Sequence, residues 1–153
     1  FAIGSLPARV TSLLARANGR LVAGSTFGGV HEFDGTAWQA IGPSSSQPRV
    51  SALAELPNGD LVVGGNFAAS AGIPGNAIVR WNGSQWAAMG DPSVATTIGT
   101  VLAMARLPNG DLVVGGRFDQ IGGVLCRNVA RWNGSVWQPL GAGNPAVVTR
   151  LAA

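Results

Sequence analysis

Few residues in this chain could do chemistry. The 153 residues include one histidine, His31, one cysteine, Cys126, and no tyrosine, and the seven carboxylates are scattered from Glu32 to Asp119. A nucleophilic triad needs a Ser or Cys beside a base that a third group orients, and a structural metal site needs about four ligands. One His and one Cys supply neither, and no two carboxylates sit at a spacing that marks an acid/base pair. The expectation is a protein that is not an enzyme and holds no cofactor or metal. Cys126 has no partner for an internal disulfide and is read as a small buried filler, and His31 as a packed strand residue.

All ten basic residues are arginine, and the net charge is only +3. The arginines never form the dense stripe that would track phosphates, so nucleic acid is not an expected partner. No run of 18 apolar residues exists, so no membrane span is expected, and no basic-then-apolar leader opens the chain. Apolar residues make up 46% and charged residues 11%, with 23 glycines and 9 prolines. Such a surface is built from Ser, Thr, Asn, Gln and backbone, which excludes a disordered tail or a coiled coil.

The elements that must position these residues emerge from a repeat. The ten residues from Leu56 to Gly65 recur letter for letter from Leu107 to Gly116, and Arg80-Trp81-Asn82-Gly83-Ser84 recurs at Arg131 to Ser135 with the same offset of 51. A diverged copy comes first, with Asn18-Gly19-Arg20-Leu21-Val22 and then Asp34-Gly35-Thr36-Ala37-Trp38. Each copy predicts four short strands. Val10 to Arg16, Val50 to Leu56 and Val101 to Leu107 are first strands, and Asn-Gly marks the hairpin that follows. The Leu-Val-Val run is continuously apolar, as in a strand covered on both faces. Ala77 to Trp81 and Gln85 to Met89 are the third and fourth strands, joined at Asn82-Gly83-Ser84. The predicted fold class is all-β, a β-propeller segment of three four-stranded antiparallel blades, because stacking such sheets buries both faces of each.

The Gly64-Gly65 and Gly115-Gly116 pairs, with tryptophans further on, resemble kelch-type blades. The fuller pattern, Leu-Pro-Asn-Gly-Asp-Leu-Val-Val-Gly-Gly-x-Phe followed by Arg-Trp-Asn-Gly-Ser-x-Trp, is similar to delta-60-type repeats of large secreted or surface proteins of bacteria. The resemblance covers nearly the whole chain, departs in the first copy at Ser25 and Phe33, and implies an extracellular or cell-surface module for adhesion or scaffolding.

The expected organisation is a single partial propeller domain over 1–153, with blades at 10–42, 50–90 and 101–141. Residues 1–4 match the last strand of a preceding blade, and 147–153 match the first strand of a following one. Such a chain is either a window on a larger propeller or a unit whose open ends are covered by other copies. The turns between strands one and two, and between three and four, are nearly invariant. The other connections vary, and in a meander they emerge on one side of the disc, where recognition of a protein or glycan is expected. The long-reach polar residues there are Asp91, Asp119, Gln120 and Arg127, with Arg49 beside them. The alternative is sugar stacking on Trp38, Trp86 and Trp137, or self-assembly into a fibre or surface layer. Asp60 and Asp111 are read as turn residues. Arg80 and Arg131, replaced by Glu32 in the first copy, are read as a solvated strand position or members of a structural ion pair.

Overall fold

The Asn-Gly signals close the hairpins they predict. A computed structural model of the chain describes residues 6, 9–27, 29–41, 49–67, 77–90 and 99–152. Its first repeat comprises β1 (Val10–Ala15), β2 (Leu21–Ser25), β3 (Val30–Phe33) and β4 (Trp38–Ala40). The second comprises β5 (Arg49–Glu55), β6 (Leu61–Asn66), β7 (Ile78–Trp81) and β8 (Trp86–Ala88). The third comprises β9 (Gly99–Arg106), β10 (Leu112–Phe118), a small hairpin of β11 (Gln120–Ile121) and β12 (Val124–Leu125), then β13 (Val129–Trp132) and β14 (Trp137–Pro139). Each repeat is a four-stranded antiparallel meander, and no strand pairing joins one of these sheets to another among the described residues.

Local chemistry explains both turns. Asn18, Asn58 and Asn109 each accept, through Oδ1, the amide two residues on at 3.0–3.1 Å. The glycine between them takes the positive φ that a side chain resists, as at Gly59 with 86°. In the second turn Asn82 Oδ1 accepts the amides of Ser84 and Gln85, and Asp34 does the same for Thr36 and Ala37. The Ala37 amide, then the Thr36 hydroxyl and amide, hold the Asp34 carboxyl well below the usual carboxylate range. A ring pair closes each of these hairpins: Phe33 with Trp38, Trp81 with Trp86, and Trp132 with Trp137, centroids 5.2–5.3 Å apart.

The Leu-Val-Val-Gly-Gly runs of β6 and β10 are buried throughout, since their sheets are sandwiched. One apolar cluster runs from the first sheet into the second and another from the second into the third. The paired glycines have two separate reasons. A Cβ at Gly24, Gly64 or Gly115 would strike Val50, Val101 or Val148, the valine with which the next repeat begins. A Cβ at Gly65 or Gly116 would strike the carbonyl of Arg49 or Thr100 in its own sheet. That second crowding arises because the residue after Val50 or Val101 bulges out of the ladder. Ser25 replaces the second glycine in the first sheet, and its hydroxyl donates to the Gly29 carbonyl at 3.1 Å. In the second and third sheets the tryptophan opening the fourth strand also ties sheets together. Trp86 Nε1 donates to the Ile41 carbonyl at 3.2 Å, and Trp137 Nε1 to the Met89 carbonyl at 2.9 Å.

Two features differ from the sequence reading. Residues 119–126 were expected to be a variable loop, yet they carry the β11–β12 hairpin. Ile121 pairs Val124 across Gly122 and Gly123, which take φ of 53° and 85°. That Gly-Gly between apolar residues is itself a two-residue hairpin signal. Gly122 lies so close to Trp137 and the Met89 carbonyl that a side chain there would collide with both, so the hairpin latches the second sheet to the third. Residues 147–152, expected to be a strand, form no ladder, because no described strand lies beside them to pair with. They nonetheless dock as a first strand would, with Val148 and Leu151 against Gly115 and the Val148 amide donating to the Gly116 carbonyl at 3.1 Å. Residues 1–4 lie outside the described residues.

Candidate functional site

The two ends of the stack differ in charge. At the end that carries the tight turns, acid and base are matched. Asp60 pairs Arg80 at 3.5 Å, Asp111 pairs Arg131, and Arg20 pairs Glu32 at 2.8 Å with the polarity inverted. The first copy therefore keeps the ion pair and exchanges its ends. Arg16 binds both Glu32 (2.8 Å) and Glu55 (3.0 Å), joining the first sheet to the second. Burial works against its charge, but the bonds to Glu32 and Glu55 outweigh that and push its pKa above the usual arginine value.

At the opposite end, where first strands begin and second strands finish, the described charges are Arg9, Arg49, Arg117 and Arg127 against the single carboxylate of Asp119. None of the four guanidiniums has an ion-pair partner among the described residues. The third repeat and its neighbour form a cleft of about 800 Å³ there. Asn66, at the end of β6, lines one side, with Arg117, Asp119, Arg127, Asn128 and Val147 around it.

Asn128 holds this cleft in shape. It opens the third strand in the left-handed region, at φ 61°, a position filled by Gly29 and Ala77 in the other sheets. Its Oδ1 accepts the Phe118 amide at 3.1 Å, while its Nδ2 donates to the Asn144 carbonyl at 2.9 Å. One buried side chain thus ties β10, β13 and the following connection together.

Of the residues singled out from sequence, Asp119 and Arg127 meet in the cleft. Arg49 pairs with Asn66 across the β5–β6 ladder, next to it. Gln120 lies in β11, opposite Leu125, and does not line the cleft. Asp91 lies outside the described residues. Among the stacking candidates, Trp137 is 4% exposed, while Trp38 and Trp86 are half-buried in ring pairs. Arg117, Asn66 and Asn128 were not foreseen. A signal existed for the first two, because the position after the glycine pair changes from Thr26 to Asn66 to Arg117 while its neighbours repeat.

Cys126 is buried, and burial pushes its thiol up to about 11, which keeps it protonated at neutral pH. His31 is buried with Nδ1 unpartnered, and burial lowers its pKa. No cluster of three or more metal-ligating side chains occurs among the described residues, and no helix is long and apolar enough to cross a membrane.

The stacked meanders define a protein of the β-propeller class, and comparison supports that class. The model of a β-propeller domain of unknown function (DUF5122) matches residues 56–83 and 107–134, which run from the first turn to the second in both the second and third sheets. Among solved structures, the chain is similar to PorZ, an essential bacterial surface component of the type-IX secretion system of Porphyromonas gingivalis. That match has a TM-score of 0.61 at 19% identity and covers 99% of this chain and 24% of PorZ, so the chain spans about a quarter of that protein's length. No curated protein matches.

Proposed function

We propose that this chain is an arc of a larger propeller that works, without catalysis, as an interaction module outside a bacterial cell or at its surface, recognising its partner at the loop end. The loop-end cleft carries this reading. Most charge at the turn end is held in ion pairs, whereas Asp119, Arg127 and Asn66 reach into one concave site on a rigid scaffold. The surface role of PorZ agrees with the proposed location. Alanine changes at Asn66, Asp119 and Arg127 should abolish capture of the partner while leaving unfolding unchanged. Retention of every interaction by the triple variant would refute the reading.

Two exposed side chains support the arc. Val10 and Leu13 are 37% and 64% exposed, whereas Val50 and Leu53, their equivalents, are 0% and 9% exposed against the Gly24 strand. A further glycine-bearing sheet would cover them in the same way. Self-assembly would cover them too, and sedimentation of the protein over a range of concentrations separates the alternatives. Sugar stacking on Trp38, Trp86 and Trp137 has less support, since Trp86 and Trp137 spend their indole N–H groups on neighbouring sheets.

A further inference from the structure

We infer that the loop-end cleft binds an acidic peptide segment, its carboxylates received by Arg117 and Arg127. The inference rests on the loop-end reading above and adds the chemistry of the partner. Arg117 and Arg127 are both exposed, line the same cleft, and come from different strand ends, so one extended ligand can meet both. Arginine presents a fixed fork of donors that matches a carboxylate, and neither Arg117 nor Arg127 forms an ion pair among the described residues. The balanced turn end and the arginine-rich loop end also give the molecule a field that draws anions towards the cleft.

Peptide is favoured over glycan by what lines the cleft. Among the described residues that line it, the one aromatic ring, Phe118, is buried and offers no open face to a sugar. Pro145 and Val147 instead offer exposed apolar contact beside the arginines. A volume of about 800 Å³ accommodates several residues rather than one carboxylate. Asp119 is the opposing charge in the cleft, which yields a test by sign.

Fluorescence anisotropy with a fluorescein-labelled hexaglutamate peptide reads the site directly. Saturable binding is expected at low salt, weakening by about tenfold between 20 and roughly 200 mM sodium chloride. R117Q and R127Q should each weaken it by about five- to tenfold, and D119N should tighten it by about twofold. Arg9→Gln, at the same end but outside the cleft, and Arg106→Gln, at the turn end, should leave it within about twofold of the parent. Equal losses with R9Q and R117Q would overturn the cleft in favour of a diffuse field, and absence of binding at low salt would overturn the inference outright. Tighter binding of a hexagalacturonate with the same arginine dependence would overturn the peptide assignment. If R117Q and R127Q change nothing while the alanine triple variant still loses its partner, the anion chemistry falls and the loop-end reading stands. If neither set has any effect, both fall.

Discussion

At Gly64 a single methyl group has nowhere to go, because an added Cβ would lie 2.6 Å from Val101 Cγ1 in the neighbouring sheet. Gly64→Ala is expected to cost about 1–3 kcal/mol in urea unfolding, and Val101→Ala in the same molecule should recover part of it, since the added methyl strikes Val101 and the flexible end of Met104. Gly65→Ala meets the Arg49 carbonyl instead, so no side-chain truncation should rescue it. Asn128→Ala breaks two hydrogen bonds and leaves an alanine in the left-handed region. It should cost about 2–3 kcal/mol and loosen the cleft. His31 sets a pH response. Its folded pKa is lowered by burial, so the unfolded chain takes up the proton first as pH falls below about 6.5. Stability present above that pH should therefore decline towards the lower folded value, by at most about 1.4 kcal/mol per pH unit. Unfolding of His31→Val, which carries the residue type of Val79 at the same position, should lose this slope.

Among the elements, the junctions between sheets decide more than the sheets themselves. Each meander is closed by local turns, but neighbours are joined by a valine seated on a glycine, an indole N–H on a carbonyl and, between the first and second sheets, by Arg16. Leu56 and Leu107 stand where Arg16 does, so the first junction replaces an apolar contact with a buried ion network. Removing Arg16 leaves the Glu55 carboxylate without its cation, while Glu32 keeps Arg20. Arg16→Ala should cost about 2–3 kcal/mol, measurable by thermal unfolding, and more than Arg20→Ala, whose side chain is half exposed. The β11–β12 hairpin adds a latch that the first repeat lacks. Phe118 is buried where the extra residues are present, and its equivalent Phe27, without them, is 66% exposed.

At the scale of the whole molecule, Val10 and Leu13 form an apolar surface that no described sheet covers. If Val10 and Leu13 await another glycine-bearing sheet, Leu13→Ala should change the stability of this chain by under about 0.5 kcal/mol, whereas Leu53→Ala should cost about 2–3 kcal/mol. Fusing a further Leu-Val-Val-Gly-Gly repeat ahead of β1 should raise the cost of Leu13→Ala to that of Leu53→Ala. Unchanged tolerance in the fusion would show that the face does not accept such a sheet.

Strand identity and turn placement were legible in the sequence, because each depends on residues a few positions apart or on a pattern that repeats, whereas the partner of Arg80, Asp60, was not, since the two lie 20 positions apart. Asn-Gly needs only its own φ angles, and a Leu-Val-Val run needs only to be apolar on both sides. Tertiary structure alone decided which valine each glycine receives and that Trp137 spends its N–H on Met89. It also decided that Asn66 of one sheet meets Arg117 and Arg127 of the next. Those meetings join residues 26 to 61 positions apart, and their geometry is set by how one sheet lies on another, which no local periodicity encodes.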